Sequence, residues 1–153
     1  MFLLESLAKF ADTDRIAFVY GDQTLTFAEL ERQSNAFAAW LLQSFGEDRT
    51  PILIYGHKDL EIPACMFGAL KAGRAYVPVD VTFPAERVGQ IVEELQPKVV
   101  VNLRDDDAAL NREALAQILS EMPNPARNSG FVRSRRPICS LPPVPPESPR
   151  AYR

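Results

Sequence analysis

Within residues 1–122, segments with the hydrophobic period of a helix alternate with segments that have the period of a strand. A short N-terminal helix is predicted by four apolar residues at helical spacing, Leu3, Leu4, Leu7 and Phe10. The segment IAFVYGDQTLTF, which starts at Ile16, alternates apolar residues before a Gly-Asp turn. This alternation predicts a β-hairpin.

A long helix is predicted to begin after the hairpin. Thr26 and Glu29 form a Thr-x-x-Glu capping box, in which both side chains satisfy backbone N–H groups that the first helical turn leaves unpaired. A stripe at alternating spacings of three and four residues then indicates one buried face that ends at Gly46, formed by Phe27, Leu30, Ser34, Phe37 and Leu41.

Three apolar runs, PILIY, AYVPV and KVVVNL, predict further strands. The first, at 51–55, is a compact run typical of a strand that is covered on both faces. Pro78, in the second, indicates an edge strand, because proline cannot donate to a ladder. Asp59 is predicted to cap the intervening helix, which ends at Gly73 and turns three residues inward, Ile62, Met66 and Leu70.

Two more helices complete the pattern. Pro84 suits the start of a helix over Ala85–Leu95. The acidic triple Asp105–Asp107 is predicted to cap a last helix, which has Leu110, Ala114, Ile118 and Met122 on one face. Strands and helices that alternate through short connections predict an α/β fold with a mainly parallel sheet flanked by helices.

The chain changes character near Pro125. Residues 1–125 have a net charge of −8, whereas residues 126–153 have +5 and contain six of the 13 prolines. No apolar period continues beyond Met122, so we predict one domain over residues 1–122 and a disordered Pro/Arg-rich tail over 123–153. Out-of-frame translation of a GC-rich gene would produce such a tail. A genuine linker or interaction tail is the alternative.

Composition limits the class of protein. The longest uncharged apolar run, Ile62–Leu70, is far shorter than the roughly 20 residues that cross a bilayer. The two cysteines, Cys65 and Cys139, lie in very different segments and suggest reduced thiols. We therefore expect a cytoplasmic protein without a membrane partner. A basic tail could bind nucleic acid or a polyproline reader, but a solvated tail is the favoured interpretation, so no nucleic-acid partner is expected.

The segment MFGALKAGRAYVPVD tests whether the chain binds a nucleotide. Gly68 and Gly73 have the spacing of a phosphate-binding loop, but such a loop needs Lys and Ser/Thr where this chain has Arg74 and Ala75. It also needs a strand before the loop and a helix after it, whereas Gly73 follows a helix and precedes a strand. The segment is interpreted as a helix C-terminus.

The remaining candidate residues favour structural roles. His57 lies in a turn after a buried strand, where catalytic residues often occur, but no Gly-x-Ser-x-Gly nucleophile accompanies it. Lys71 and Arg74 are interpreted as complementing a helix dipole. One histidine and two distant cysteines do not form a zinc site, and no Gly-x-Gly-x-x-Gly follows a strand. No catalytic, cofactor-binding or metal-binding residue is assigned.

Three stretches together nevertheless resemble the N-terminal part of the acyl-adenylate-forming (AMP-binding) ligases: LTFAELERQSNAFAAWL, LKAGRAYVPVD and FPAERVGQIVEEL. The resemblance covers about Leu3 to Leu103. Phe27 replaces a tyrosine of the family's first motif. Within the family, VYGDQTLTF and PILIYGHKD look most like the D-alanine to D-alanyl carrier protein ligases.

The resemblance implies an enzyme that activates a carboxylate with ATP and Mg²⁺ and passes the acyl group to a carrier protein, here D-alanine for teichoic acid D-alanylation. The family's Lys-Gly phosphate loop, ribose-binding aspartate and C-terminal lysine do not occur in this chain. We therefore expect a truncated member that binds neither cofactor and is inactive alone. The alternatives are a fragment of a peptide synthetase adenylation domain, or a non-catalytic module that associates through an exposed sheet edge.

Overall fold

The computed structural model of the protein describes residues 2–121. The predicted boundary at Met122 and the predicted disorder of residues 123–153 lie outside this part of the chain. The elements, in chain order, are α1 (Phe2–Ala8), β1 (Ile16–Tyr20), β2 (Gln23–Thr26), α2 (Phe27–Phe45), β3 (Ile52–Gly56), α3 (Glu61–Lys71), β4 (Tyr76–Asp80), α4 (Ala85–Leu95), β5 (Val99–Asn102) and α5 (Arg112–Glu121).

The strands of residues 2–121 form two separate sheets. β3, β4 and β5 make a parallel sheet in the order β4-β3-β5, and β1 and β2 make an antiparallel hairpin. The central strand β3 is buried at four of its five positions, as its apolar run predicts. Pro78 lies on the edge strand β4, which confirms that prediction. The α/β fold with a mainly parallel sheet is therefore confirmed.

Helices cover both faces of the parallel sheet. Ile52 and Ile54 pack with residues of α2, α3 and α5 on one face, whereas Leu53, between them, packs with Val79 and Val88 on the face covered by α4. This division follows from the alternation of side chains along a strand. A third, smaller core joins α1, the hairpin and α2 through Leu7, Leu25 and Leu30.

Helix α2 begins with the predicted capping box. The Thr26 hydroxyl accepts a hydrogen bond from the Glu29 N–H at 3.2 Å, and the Glu29 carboxylate accepts one from the Thr26 N–H at 2.9 Å. The helix ends at Gly46, whose φ of +59° is a conformation that glycine adopts without strain. Both ends of this helix are as the sequence predicts.

The buried face of α3 differs from the prediction. Ile62, Met66 and Leu70 are only partly buried, and the buried residues of this helix are small: Ala64, Cys65, Gly68 and Ala69. A Cβ added at Gly68 would lie 2.8 Å from the Ser34 carbonyl oxygen of α2. Because the two helices approach this closely, the contact accepts small side chains and excludes large ones. Ile62 and Met66 do pack against the main core, as predicted, but the spacing of large apolar residues did not identify the small residues that are fully buried.

The last helix also begins differently. Asn111 caps α5, since its side-chain oxygen accepts the Ala114 N–H at 2.9 Å. Asp105 instead accepts the Asp107 N–H at 3.0 Å, within the preceding turn, so the predicted capping role of the acidic triple is wrong. Leu110 is buried but precedes the helix, and the buried residues within it are Leu115, Ile118 and Leu119.

Candidate functional site at the carboxyl ends of the parallel strands

The carboxyl ends of β3 and β4 bring His57 and Asp80 together. His57 Nδ1 lies 2.7 Å from Asp80 Oδ2, and the two side chains are 34% and 36% exposed. The other Asp80 oxygen accepts the Thr82 N–H at 2.9 Å. The hydrogen bond from His57, together with those from Thr82, lowers the pKa of Asp80 to about 2. The sequence singled out His57 but not its partner, which ends the neighbouring strand.

The turn after β3 positions this pair. Lys58 has a φ of +51°, and the Asp59 carboxylate accepts the His57 N–H at 2.8 Å. A Cβ added at Gly56 would lie 2.9 Å from the Asp59 carboxylate, so the turn is tight at this point. Helix α3 has Leu60 at its N-cap without a side-chain hydrogen bond. The prediction that Asp59 caps α3 is therefore wrong, because its carboxylate is engaged in the turn and with arginines.

Two arginines complete the partners of Asp59. Arg104 Nη2 lies 3.1 Å and 3.2 Å from the two Asp59 oxygens, and Arg112 Nη2 lies 2.6 Å from one of them. Arg112 also bonds to Glu61 at the start of α3. Asp59 is 8% exposed. These charge-assisted hydrogen bonds connect the ends of β3 and β5 to the start of α5. The charged cluster of Asp59, Glu61, Arg104 and Arg112 therefore has a structural role.

An open groove of about 590 Å³ lies beside this charged cluster. Its lining comes from β1, the end of β3, the turn after β3, the first turns of α3, β4 and Phe83. Most of its lining is apolar, with Lys58, Asp59 and Asp80 at the polar positions. Among the described residues that line it there is no serine or cysteine. The groove can therefore hold an apolar group.

The structure confirms that the segment resembling a phosphate loop is a helix C-terminus. Gly68 lies inside α3, where it packs against α2. Gly73 follows the helix with a φ of +74° and leads into β4. The Arg74 side chain is fully buried. A phosphate loop would leave its amides and its cation open to a ligand, and here they are part of a packed connection.

Lys71 and Arg74 have internal partners that the sequence interpretation missed. The Lys71 ammonium donates to Glu31 at 2.7 Å and to Ser34 and Asn35 at 2.8 Å, and burial lowers its pKa. This cluster links α3 to α2. The spacing of Glu31, Ser34 and Asn35 on α2, three and then one residue apart, was the available signal that one side chain could reach all three.

Arg74 lies at the opposite end of the sheet from His57. Its Nη1 donates to the Thr50 carbonyl at 3.2 Å, and its guanidinium lies 5.4 Å from the centre of the Phe45 ring. Nε and Nη2 are buried without a partner within the described residues. Arg74 therefore connects the end of α2 to the start of β3. This structural role is more specific than the predicted interaction with a helix dipole.

Residues 2–121 contain no group of three or more His, Cys, Asp or Glu side chains arranged to hold a metal ion. None of their helices has the length and apolar character required to span a bilayer.

Comparison with protein families matches residues 5–149 to the AMP-binding enzymes. The D-alanine to D-alanyl carrier protein ligases of Bacillus anthracis and Bacillus cereus are 39% identical to this chain over 104 residues. That alignment covers 67% of this chain and 21% of each relative. The chain thus spans about a fifth of the length of these curated relatives.

Several solved structures have a fold similar to that of this chain. VinN in complex with L-aspartate has a TM-score of 0.65 at 22% identity, over 77% of this chain and 36% of VinN. The N-terminal subdomain of Klebsiella oxytoca NpsA has a TM-score of 0.62 at 18% identity, over 78% and 32%. A four-domain nonribosomal peptide synthetase bound to AMP and glycine has a TM-score of 0.62 at 25% identity, over 76% and 9%. The fold is that of the N-terminal subdomain of adenylation domains.

Proposed function

Because this chain belongs to the AMP-binding enzyme family, we propose that it is the N-terminal portion of an ATP-dependent ligase that activates D-alanine and loads it onto a carrier protein. The observation that supports this choice is the 39% identity to D-alanine to D-alanyl carrier protein ligases over 104 residues. The motif LKAGRAYVPVD, which resembles the family's scaffold motif, forms the end of α3, the turn at Gly73 and strand β4.

In this proposal the chain supplies scaffold, and the adenylation chemistry resides in the remainder of the ligase. Adenylation requires cations and backbone donors placed on the triphosphate, because electrostatic stabilisation provides most of the barrier reduction. Lys71 and Arg74, the two cations nearest the phosphate-loop-like glycines, are engaged in internal contacts. We therefore propose that ATP and Mg²⁺ bind the whole ligase and that this chain alone is inactive.

A peptide synthetase adenylation domain is the second candidate parent. It is favoured by the 0.62 TM-score to the four-domain synthetase, whose fold covers 76% of this chain. In both candidates a cytoplasmic enzyme would transfer the acyl group to a carrier protein, and the difference lies in the amino acid and in the size of the parent.

Two chimeras distinguish these parents. Residues 1–121 of this chain replace the matching region of the Bacillus cereus ligase in one chimera and that of the four-domain synthetase in the other. We expect amino-acid-dependent exchange of pyrophosphate into ATP to survive in the ligase chimera with D-alanine and to fall about tenfold or more in the synthetase chimera. Equal activity in both, or activity in the synthetase chimera alone, would contradict the D-alanine assignment.

A further inference from the structure

The hairpin strand β1 is apolar in sequence and exposed in the structure. The exposed fractions are 56% for Ile16, 40% for Phe18, 65% for Val19 and 45% for Tyr20. Most exposed large apolar residues of the described chain lie in this strand, and Phe83, at 42%, lies across the groove from it. Contiguous exposed apolar surface on a monomeric protein marks an interaction site.

The groove runs along the edges of two strands. Successive side chains of a strand point to opposite faces of the sheet, so a ligand on one face would meet alternate residues. Here three consecutive residues of β1, 18–20, and three of β4, 78–80, line the same groove. Within residues 2–121, β1 pairs only with β2 and β4 only with β3. The groove is therefore bordered by the unpaired strand β1 and the edge strand β4, with Ile54 and Gly56 of the central strand β3 between them in the lining.

These edges differ in what they can bind. Pro78 has no N–H, so β4 cannot offer an uninterrupted row of donors. β1 contains no proline and presents its backbone groups along an apolar strand, the condition under which an added strand pairs most readily. An extended segment can thus pair with β1 while its side chains pack against the exposed Phe83.

We propose that this groove is the docking site for an extended apolar segment from the rest of an AMP-binding ligase, which pairs with β1. The inference rests on the proposed function. The chain spans only 21% of the length of the D-alanine ligases, so about four fifths of such a protein lies beyond the matched region and provides the segment. The occupant is therefore the remainder of the same ligase and not an unrelated partner.

Co-expression with the missing remainder tests the proposal. The 153-residue chain is co-expressed with the part of the Bacillus cereus ligase that follows its aligned region, and the complex is isolated and its Kd measured. Val19→Asp should weaken the complex about tenfold or more, because it places a charge in the apolar pairing edge. Leu42→Asp is the matched control, since Leu42 is 43% exposed on α2 and does not line the groove. We expect its Kd to stay within about twofold of the unaltered chain.

The outcomes separate the possible occupants. Failure of the unaltered chain to form a complex, or a complex insensitive to Val19→Asp, overturns the proposal. A dimer of the chain alone that Val19→Asp dissociates identifies a second copy as the occupant and also overturns it. A Val19→Cys, Cys139→Ser variant that resists thiol labelling before the remainder is added would show that the groove is already filled. Cys65 is buried and does not compete for the label.

A different result is expected if the docking site exists but the proposed function is wrong. A complex that responds to Val19→Asp but supports no D-alanine-dependent exchange upholds the docking site and counts against D-alanine as substrate. Absence of a complex counts against the docking site regardless of substrate, because binding is measured without amino acid or ATP.

Discussion

The α2–α3 contact and the β1–β4 groove are both built on apolar residues, but only the first is complete. In the α2–α3 contact, Gly68 brings the helices together and the buried Lys71 ammonium has three oxygen partners. In the groove, Val19 is 65% exposed and both strand edges lack partners within residues 2–121. This difference motivates the proposal that the groove, unlike the α2–α3 contact, binds a further segment. The following changes should affect these two regions very differently.

Lys71→Met should cause the largest loss of stability. It leaves the carboxylate of Glu31, whose side chain is 11% exposed, without its cation, and removing one partner of a buried pair costs about 3 kcal/mol. The free energy of unfolding in urea measures the effect. Lys98→Met is the control, since Lys98 is 60% exposed, and it should change the free energy of unfolding by less than about 0.5 kcal/mol. Equal losses would show that the Lys71 cluster is not an internal link.

Gly68→Ala should be the next most destabilising. The new Cβ would meet the Ser34 carbonyl at 2.8 Å and the Phe37 side chain at 2.9 Å, so the helices must separate, at a cost of about 2 kcal/mol. Gly89→Ala is a matched helical control, because a Cβ there meets nothing within 4 Å, and it should stabilise α4 by about 0.5 kcal/mol. A stabilising Gly68→Ala would mean that the contact is looser than the structure has it.

Gly73→Ala should cost about 1 kcal/mol, because a φ of +74° strains any residue with a Cβ. Space is not the reason, as nothing lies within 4 Å of the added atom. Urea unfolding gives the loss, and calorimetric titration with ATP should give the same result as for the unaltered chain. A selective change in ATP binding at unchanged stability would restore the phosphate-loop interpretation.

Asp80→Asn should have the smallest effect, which is present at neutral pH and disappears in acid. The pKa of Asp80 is lowered from 3.8 to about 2, so its ionised form stabilises the folded state above about pH 4, and this contribution is lost as the pH falls towards 2. The urea midpoint of the unaltered chain should therefore drop over this interval, and that of Asp80→Asn should drop less. Asp22→Asn, in the hairpin turn, is the control. An identical acid response in Asp80→Asn would exclude the His57–Asp80 pair as a stabilising contact.

The sequence predicted the fold well wherever the signal was local. The Thr26 and Glu29 capping box, the edge position of Pro78 and the helix end near Gly73 each depend on a few neighbouring residues, and each is confirmed. The buried face of α3 was predicted only in part, because the nearness of α2 decides which side chains fit there.

The candidate site could not be predicted for a similar reason. Asp80 is 23 residues from His57, and Arg112 is 53 residues from Asp59. Their meeting depends on strand order, which brings together the carboxyl ends of strands distant in sequence. The groove could not be predicted from the sequence either, because the run Ile16–Tyr20 has a composition typical of a buried strand. The domain boundary at Met122 remains a prediction, and the family match extends to residue 149.

The central claim is that this chain contains scaffold of an AMP-binding ligase without its phosphate site. Pyrophosphate exchange measured on the purified 153-residue chain tests it most directly, with D-alanine, ATP and Mg²⁺ present. The account predicts no D-alanine-dependent exchange of labelled pyrophosphate into ATP above a reaction without enzyme, since Lys71 and Arg74, beside the phosphate-loop-like glycines, are engaged in internal contacts. Robust exchange by the chain alone would contradict the account.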